Sequence, residues 1–252
     1  MSGRSKRLVI AGAGGQLGSQ LADQATREGR EMVAFTSAQW DITDASAAER
    51  IVNSGDLVVN CAAYTNVDGA ESDEATAYAV NATGPEHIAH ACARAGAGLI
   101  HVSTDFVFCN DIGDLGGAAP RPYEPGDEPV ALGVYAQSKL AGERAVVAAL
   151  PEAVVVRTAW VYTGGDGKDF VAVMKRLAAG DGPIDVVDDQ TGSPTYVGDL
   201  AAALLEVVDS GLQGRLLHAA NAGAVSRFGQ AQAVFEECGA DPKRVRPVST
   251  AQ

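Results

Sequence analysis

No apolar run in this sequence approaches the ~20 residues that a membrane-spanning helix needs, so the chain is not expected to cross a bilayer. Its start, Met1-Ser-Gly-Arg-Ser-Lys-Arg7, is basic but leads straight into a short strand. It lacks the apolar region and cleavage site of a signal peptide, and a cytoplasmic location is expected. Cysteine is scarce: Cys61, Cys92, Cys109 and Cys238 show no Cys-x2-Cys or zinc spacing. Cys61, Cys92 and Cys238 sit in apolar stretches and read as small buried hydrophobes, whereas Cys109 lies in a polar loop. Basic residues are outnumbered, 19 against 32 acidic, for a net charge of −13. That balance argues against binding nucleic acid or an anionic membrane through bulk charge. Histidine is equally sparse, and His87 and His90, three apart, read as helix side chains rather than ligands, so no metal is expected.

Glycine and β-branched residues, by contrast, are placed to a pattern. Arg7–Ala11 reads as a buried strand, followed by Gly12-Ala-Gly-Gly-Gln-Leu-Gly18 and an amphipathic helix. Gly12, Gly15 and Gly18 allow a tight turn, close approach of a pyrophosphate, and close helix–strand packing. The second strand, Glu31–Thr36, ends in Thr36-Ser37, where an NAD site usually carries an acid for the ribose hydroxyls. Two hydroxyls without a carboxylate favour NADP, with NADH possible. Asp41-Ile42 is expected to open a second helix, with Thr43 or Asp44 as its cap. Asp41 can alternatively face an adenine amine.

Strands are expected at Gly55–Cys61, Gly98–Ser103, Glu152–Arg157 and Ile184–Val187, with a last one at Gly214–Ala220. Small residues in Asn60-Cys-Ala-Ala-Tyr64 leave room for a cofactor across a strand end. A long alanine-rich helix is expected from Val67 to Ala95, with Asn81 bonding a neighbouring backbone. His218 reads as packed. Residues 109–129, rich in Gly, Pro and Asp, form the longest irregular segment, a candidate lid. The βαβα alternation gives the fold class: α/β, a doubly wound parallel sheet of the NAD(P)-binding Rossmann type with a small C-terminal substrate-binding region. The division expected is 1–157 for the dinucleotide and 158–252 for the rest.

Chemistry concentrates at Ser103-Thr-Asp105, a strand end, and at Tyr135-Ala-Gln-Ser-Lys139. Ligands bind beyond the carboxyl ends of strands in such sheets. Tyr135 and Lys139 share one helix face, and an ammonium near a phenol is expected to lower its pKa and suit it to proton transfer.

These segments resemble the extended short-chain dehydrogenase/reductase superfamily and, within it, the dTDP-4-dehydrorhamnose reductases. The likeness spans nearly the whole chain. Its most specific parts are Ala62-Ala-Tyr-Thr-Asn-Val-Asp68, Ser103-Thr-Asp-Phe-Val-Phe108 and Asp189-Gln-Thr-Gly-Ser-Pro-Thr195. The resemblance implies NADPH-dependent reduction of the C4 ketone of dTDP-4-dehydro-β-L-rhamnose. Tyr135 would protonate the alkoxide, Lys139 would tune it and bond the nicotinamide ribose, and Thr104 would hold the C4 oxygen beside Asp105. The implied cofactor set is Gly12, Gly14, Gly15, Gln16, Leu17, Thr36, Ser37, Asp41, Ile42, Cys61, Ala62, Ala63, Tyr64, Tyr135 and Lys139. Thr65, Val67 and Trp160 join Thr104 near the sugar nucleotide. Arg157 could meet the diphosphate or form a core ion pair. A homodimer is compatible with the resemblance.

Three departures stand out. Phe106 replaces a usual tyrosine, Gln20 replaces an acidic residue that contributes to a metal at a dimer contact in some members, and the family continues past Gln252, so a C-terminally truncated chain is expected. The competing readings are a sugar-nucleotide epimerase or dehydratase of the same superfamily, and a non-catalytic NADP-binding regulatory subunit like that of methionine adenosyltransferase.

Overall fold

Short runs of β-branched residues make the strands. In a computed structural model of the protein, which describes residues 7–108 and 121–250, these are β1 (Leu8–Ala11), β2 (Met32–Phe35), β3 (Leu57–Asn60), β4 (Gly98–Thr104) and β5 (Val154–Thr158), then β6 (Val161–Tyr162), β7 (Ile184–Val187), β8 (Thr191–Gly192), β9 (Thr195–Tyr196), β10 (Arg215–His218), β11 (Val225–Ser226) and β12 (Val245–Val248). The helices are α1 (Gln16–Arg27), α2 (Ala45–Ile51), α3 (Val67–Ala70), α4 (Glu74–Tyr78), α5 (Gly84–Ala95), α6 (Gly133–Ala149), α7 (Phe170–Ala178), α8 (Val197–Ser210) and α9 (Arg227–Glu237). The chain divides into two units, residues 1–158 with 201–219, and residues 159–200 with 220–252.

The first unit is built on one parallel sheet in the order β10-β5-β4-β3-β1-β2. Strand order reverses between β1 and β3, the point where a doubly wound sheet opens a crevice at its carboxyl end. Consecutive strand residues point to opposite faces. Val9, Ala11, Val58 and Val155 pack under α2, α5 and α6, with Ile88, Cys92 and Val146. Leu8, Ile10, Val59 and Val156 pack on the other side with Leu21 and Ala25 of α1 and Ala201, Leu204 and Leu205 of α8. Both faces of the inner strands β1, β3, β4 and β5 are therefore largely buried, which is why they read as unbroken apolar runs.

The expected single helix from Val67 to Ala95 is broken. α3 and α4 are separate short helices, and residues Ala79–Thr83 form a π-helical turn before α5. Helix α2 begins at Ala45 with Asp44 as its cap, accepting from the Ser46 N–H; Asp41 instead accepts from Thr43. Cys92 is buried and Cys61 half-buried, but Cys238 is exposed, contrary to its apolar context. Cys109 lies outside the described residues. Residues 121–130 carry no helix, and their one sheet-like contact is a bridge from Val130 to Phe108.

In the second unit β7 pairs with β12 in parallel, β6 with β9 in parallel, and β8 with β11 antiparallel. Its core is Met174, Ala178, Val186, Ala231, Phe235 and Val245. Among the described residues, no helix is long and apolar enough to cross a membrane.

Candidate active site

The glycine turn leaves β1 into α1. Gly12 has φ +80°, and a Cβ there would lie 2.5 Å from the backbone nitrogen of Ala62. A Cβ on Gly18 would meet the carbonyl of Gly12. Only glycine lets β1, the end of β3 and α1 converge this tightly. Gly15 is the helix N-cap and supplies no side-chain acceptor, and the first turn carries no acid. The helix therefore offers its partial positive end without a competing carboxylate, as a pyrophosphate requires. Gly14 and Gly15 are exposed beside it. These features fit a dinucleotide phosphate. Thr36 follows β2 with its hydroxyl donated to Gln39 (3.0 Å), and Ser37 and Asp41 are exposed. Ile42, with Lys139, is one of two buried residues in the expected cofactor set. Its side chain is core, filling the space where a Gly84 Cβ would sit, so only its backbone is left to face a ligand.

The turn after β3 is set by Asn81, expected from the sequence to bond a neighbouring backbone, and by Asn60, His101 and Ser138, which the sequence did not single out. Asn60 is buried, accepts from the Ala62 N–H (3.0 Å) and lies 3.1 Å from His101 Nδ1. Burial, with Lys139 nearby, holds the His101 imidazole neutral, well below its ordinary pKa. Asn81, inside the π-helical turn, accepts from the Tyr64 N–H (2.8 Å) and donates to the Tyr64 carbonyl (3.0 Å) and Ser138 Oγ (3.1 Å). Ser138 in turn donates to the carbonyl of Tyr135 (2.7 Å). One buried amide thus ties Cys61–Tyr64 to the helix carrying Tyr135. A polar residue in an otherwise apolar helical run was the available signal.

Helix α6 brings Tyr135 and Lys139 over the end of β4. The Thr104 hydroxyl is near enough to Tyr135 to draw the phenol's pKa down, and the Tyr135 ring meets Phe106 edge-on at 5.6 Å. Phe106 therefore packs, as its departure from the usual tyrosine permits. Thr104 lies 3.3 Å from Asp105 Oδ1, and its Oγ1 accepts from the Phe106 N–H. Lys139 is 2% exposed and donates to the Val102 carbonyl at 2.8 Å.

The expected depression of the Tyr135 pKa is not found. Burial pushes the phenol up to about 12; the Thr104 hydroxyl draws it down and the Asp105 charge adds to the rise. Burial is the dominant cause, and Lys139, which donates to the Val102 carbonyl, is not among the groups that offset it. Burial also brings Lys139 down to about 8, with Glu143 and Cys61 acting the other way.

Arg157 resolves to the ion-pair alternative. It makes a bidentate pair with Glu143 (2.9 and 2.7 Å), both side chains buried, and stacks over the Phe108 ring at 4.7 Å. Glu143 sits one turn beyond Lys139, a spacing visible in the sequence. His218, at the end of β10, is edge-on to Phe108 but exposed, where packing was expected. Thr65 and Val67 are exposed at the start of α3. In the second unit, Trp160 has φ +47°, and among the described residues no other non-glycine has positive φ.

The chain matches the family model described as RmlD substrate binding domain over residues 6–252. It is 75% identical to the dTDP-4-dehydrorhamnose reductase of Mycobacterium tuberculosis (strain ATCC 25618 / H37Rv) over 252 residues, covering all of this chain and 82% of that protein. Identity to the enzyme of that name from Mycolicibacterium smegmatis is 60%, over 96% of this chain and 72% of the relative. A crystal structure of dTDP-4-dehydrorhamnose reductase from Bacillus anthracis, in complex with NADP, superposes with TM-score 0.89 at 36% identity, over 98% of this chain and 85% of that one. A Thermus thermophilus UDP-glucose 4-epimerase complex with NAD, 20% identical at TM-score 0.81, shares the fold. The chain belongs to the RmlD family, that of the dTDP-4-dehydrorhamnose reductases.

Proposed function

We infer that this chain is an NADPH-dependent oxidoreductase that reduces dTDP-4-dehydro-β-L-rhamnose to dTDP-L-rhamnose, the last step in making that sugar nucleotide. The family and its NADP-bound member support this reading. The observation that carries it to particular residues is the grouping of Tyr135 of α6, edge-on to Phe106, with Thr104 at the end of β4, one helical turn from Lys139.

The cofactor supplies hydride when bound; the protein's share is placement and the proton. The N-terminal turn of α1, with Gly12, Gly14, Gly15, Gln16 and Leu17, holds the phosphates. Thr36 and Ser37 face the 2′-phosphate, Asp41 the adenine, and the Cys61–Tyr64 backbone the middle of the cofactor. Thr104 donates to the C4 oxygen. Tyr135, whose phenol stays protonated at neutral pH, gives its proton to the developing alkoxide. Lys139 bonds the nicotinamide ribose and offsets the negative charge as it forms. Asp105 accepts a hydrogen bond from the Thr104 hydroxyl in the ligand-free chain, and that hydroxyl turns from Asp105 to the C4 oxygen when substrate binds. Thr65, Val67 and Trp160 contact the sugar nucleotide. The step works in the cytoplasm.

The test is NADPH oxidation with the 4-keto-6-deoxy sugar nucleotide. One NADPH consumed per sugar reduced is expected. Sugar conversion without net NADPH consumption would instead assign an epimerase or dehydratase cycle.

A further inference from the structure

The segment Asp189-Gln-Thr-Gly-Ser-Pro-Thr195 takes no part in the chemistry above, yet it meets Trp160 at several points. The indole packs on Gly192 so closely that a Cβ there would lie 2.5 Å from Cε2 and 2.8 Å from Nε1. The Thr195 N–H donates to the Trp160 carbonyl at 3.2 Å, next to the β6–β9 pairing that fixes the following residues. A guanidinium covers a ring face: Arg227 lies 3.4 Å from the indole centroid. Arg227 is itself held over the same segment, its N–H donating to the Gln190 carbonyl at 3.1 Å. Pairing of β8 with β11 brings Thr191 opposite Ser226, the residue before Arg227.

Trp160 meanwhile adopts φ +47°, a region costly to any residue with a Cβ and bulky side chain. Such a conformation persists only where the surroundings over-determine it, and it clusters at ligand sites. Glycine against the ring, a hydrogen bond on the carbonyl and a cation on the face are that over-determination.

We propose that Gly192 and Arg227 are positioning residues for sugar-nucleotide recognition, holding the strained Trp160 as a preformed contact surface for the ligand. The inference rests on the reading that Trp160 touches the sugar nucleotide. Pre-formed aromatic contacts lower the ordering cost of binding, so loss of the cradle weakens binding more than it slows chemistry.

The experiment uses the full chain with Trp40→Phe, which leaves Trp160 as the one indole. Should that variant not fold, the two indole N–H resonances of the original chain provide the readout. Gly192→Ala and Arg227→Met are expected to shift the ligand-free Trp160 signal. They are also expected to raise KM for the 4-keto sugar nucleotide by about threefold to thirtyfold, the span of an exposed to a desolvated cation–π contact, with kcat changing less. Arg227→Lys retains a cation and is expected to recover part of the loss. A Trp160 signal unmoved in both ligand-free variants overturns the cradle, as does an unchanged KM. Adding dTDP to the parent chain separates the underlying reading: a response of Trp160 supports the contact. A signal that moves in the variants but not with dTDP overturns that reading, and the inference with it.

Discussion

At the scale of single residues, burial dominates the ionisable groups near the proposed site. His101 is fully buried, with Asn60 against Nδ1 and Lys139 nearby. Its folded-state pKa lies below the unfolded one, so below about pH 6.5 the unfolded chain takes up a proton that the folded chain refuses. Stability is therefore full above that pH and falls as pH drops. Each unit of separation between the two pKa values is worth about 1.4 kcal/mol. Melting temperatures measured from about pH 7.5 to pH 5 are expected to fall less steeply in His101→Gln than in the parent. Equal slopes would show that the acid loss comes from other groups. Lys139 titrates in reach of an assay, at about 8. If its ammonium is required, kcat/KM for NADPH, which reports the free enzyme, falls as pH rises through that value. Lys139→Arg, whose charge persists at all accessible pH, is expected to remove this alkaline limb even if it lowers the rate. A limb left in place would assign it elsewhere.

At the scale of elements, α6 carries Tyr135 and Lys139 and is tied down on two sides. Asn81 holds it to the end of β3 through Ser138, and Arg157 of β5 holds Glu143. Removing one partner of a buried pair leaves an uncompensated charge, typically about 3–5 kcal/mol of destabilisation. Arg157→Met is therefore expected to lower unfolding free energy in urea by that amount. A loss below about 1 kcal/mol, the range of exposed pairs, would contradict the burial described. These ties are also where the sequence was hardest to read. The stretch from Val67 to Ala95 reads as one helix by its alanine content, although Asp73 before α4 and Gly84-Pro85 at the start of α5 mark breaks locally. Long-range demands act there too, above all the bond from Asn81 to Tyr64, seventeen positions away. Strand β12 was hidden for a related reason: Val245–Val248 contains a proline and stabilises itself only by pairing with β7. Cys238 differs from its apolar context because it is the C-cap just past the end of α9, where the chain leaves the core; Phe235 within the helix is buried while Cys238 is exposed.

At the scale of the molecule, the parallel sheet and the glycine turn were legible because both rest on local rules: apolar runs at strand length, and glycine where a backbone must approach another. The groups proposed as catalytic were legible from their strand-end and helix spacing. Their electrostatics were not, because the Tyr135 phenol is governed by burial and by the neighbouring Thr104 and Asp105, which spacing on the helix does not reveal. The central claim is that Tyr135 is the proton donor for a ketone reduction. A phenol at about 12 keeps its proton until something accepts it, so its removal is expected to abolish proton transfer and leave cofactor binding in place. The direct test is Tyr135→Phe, assayed for NADPH oxidation with dTDP-4-dehydro-β-L-rhamnose and for NADPH affinity by fluorescence titration. The expected result is a loss of turnover of about 10²–10⁴-fold, the contribution of general acid catalysis, with NADPH affinity retained. Turnover near that of the parent chain would contradict the assignment.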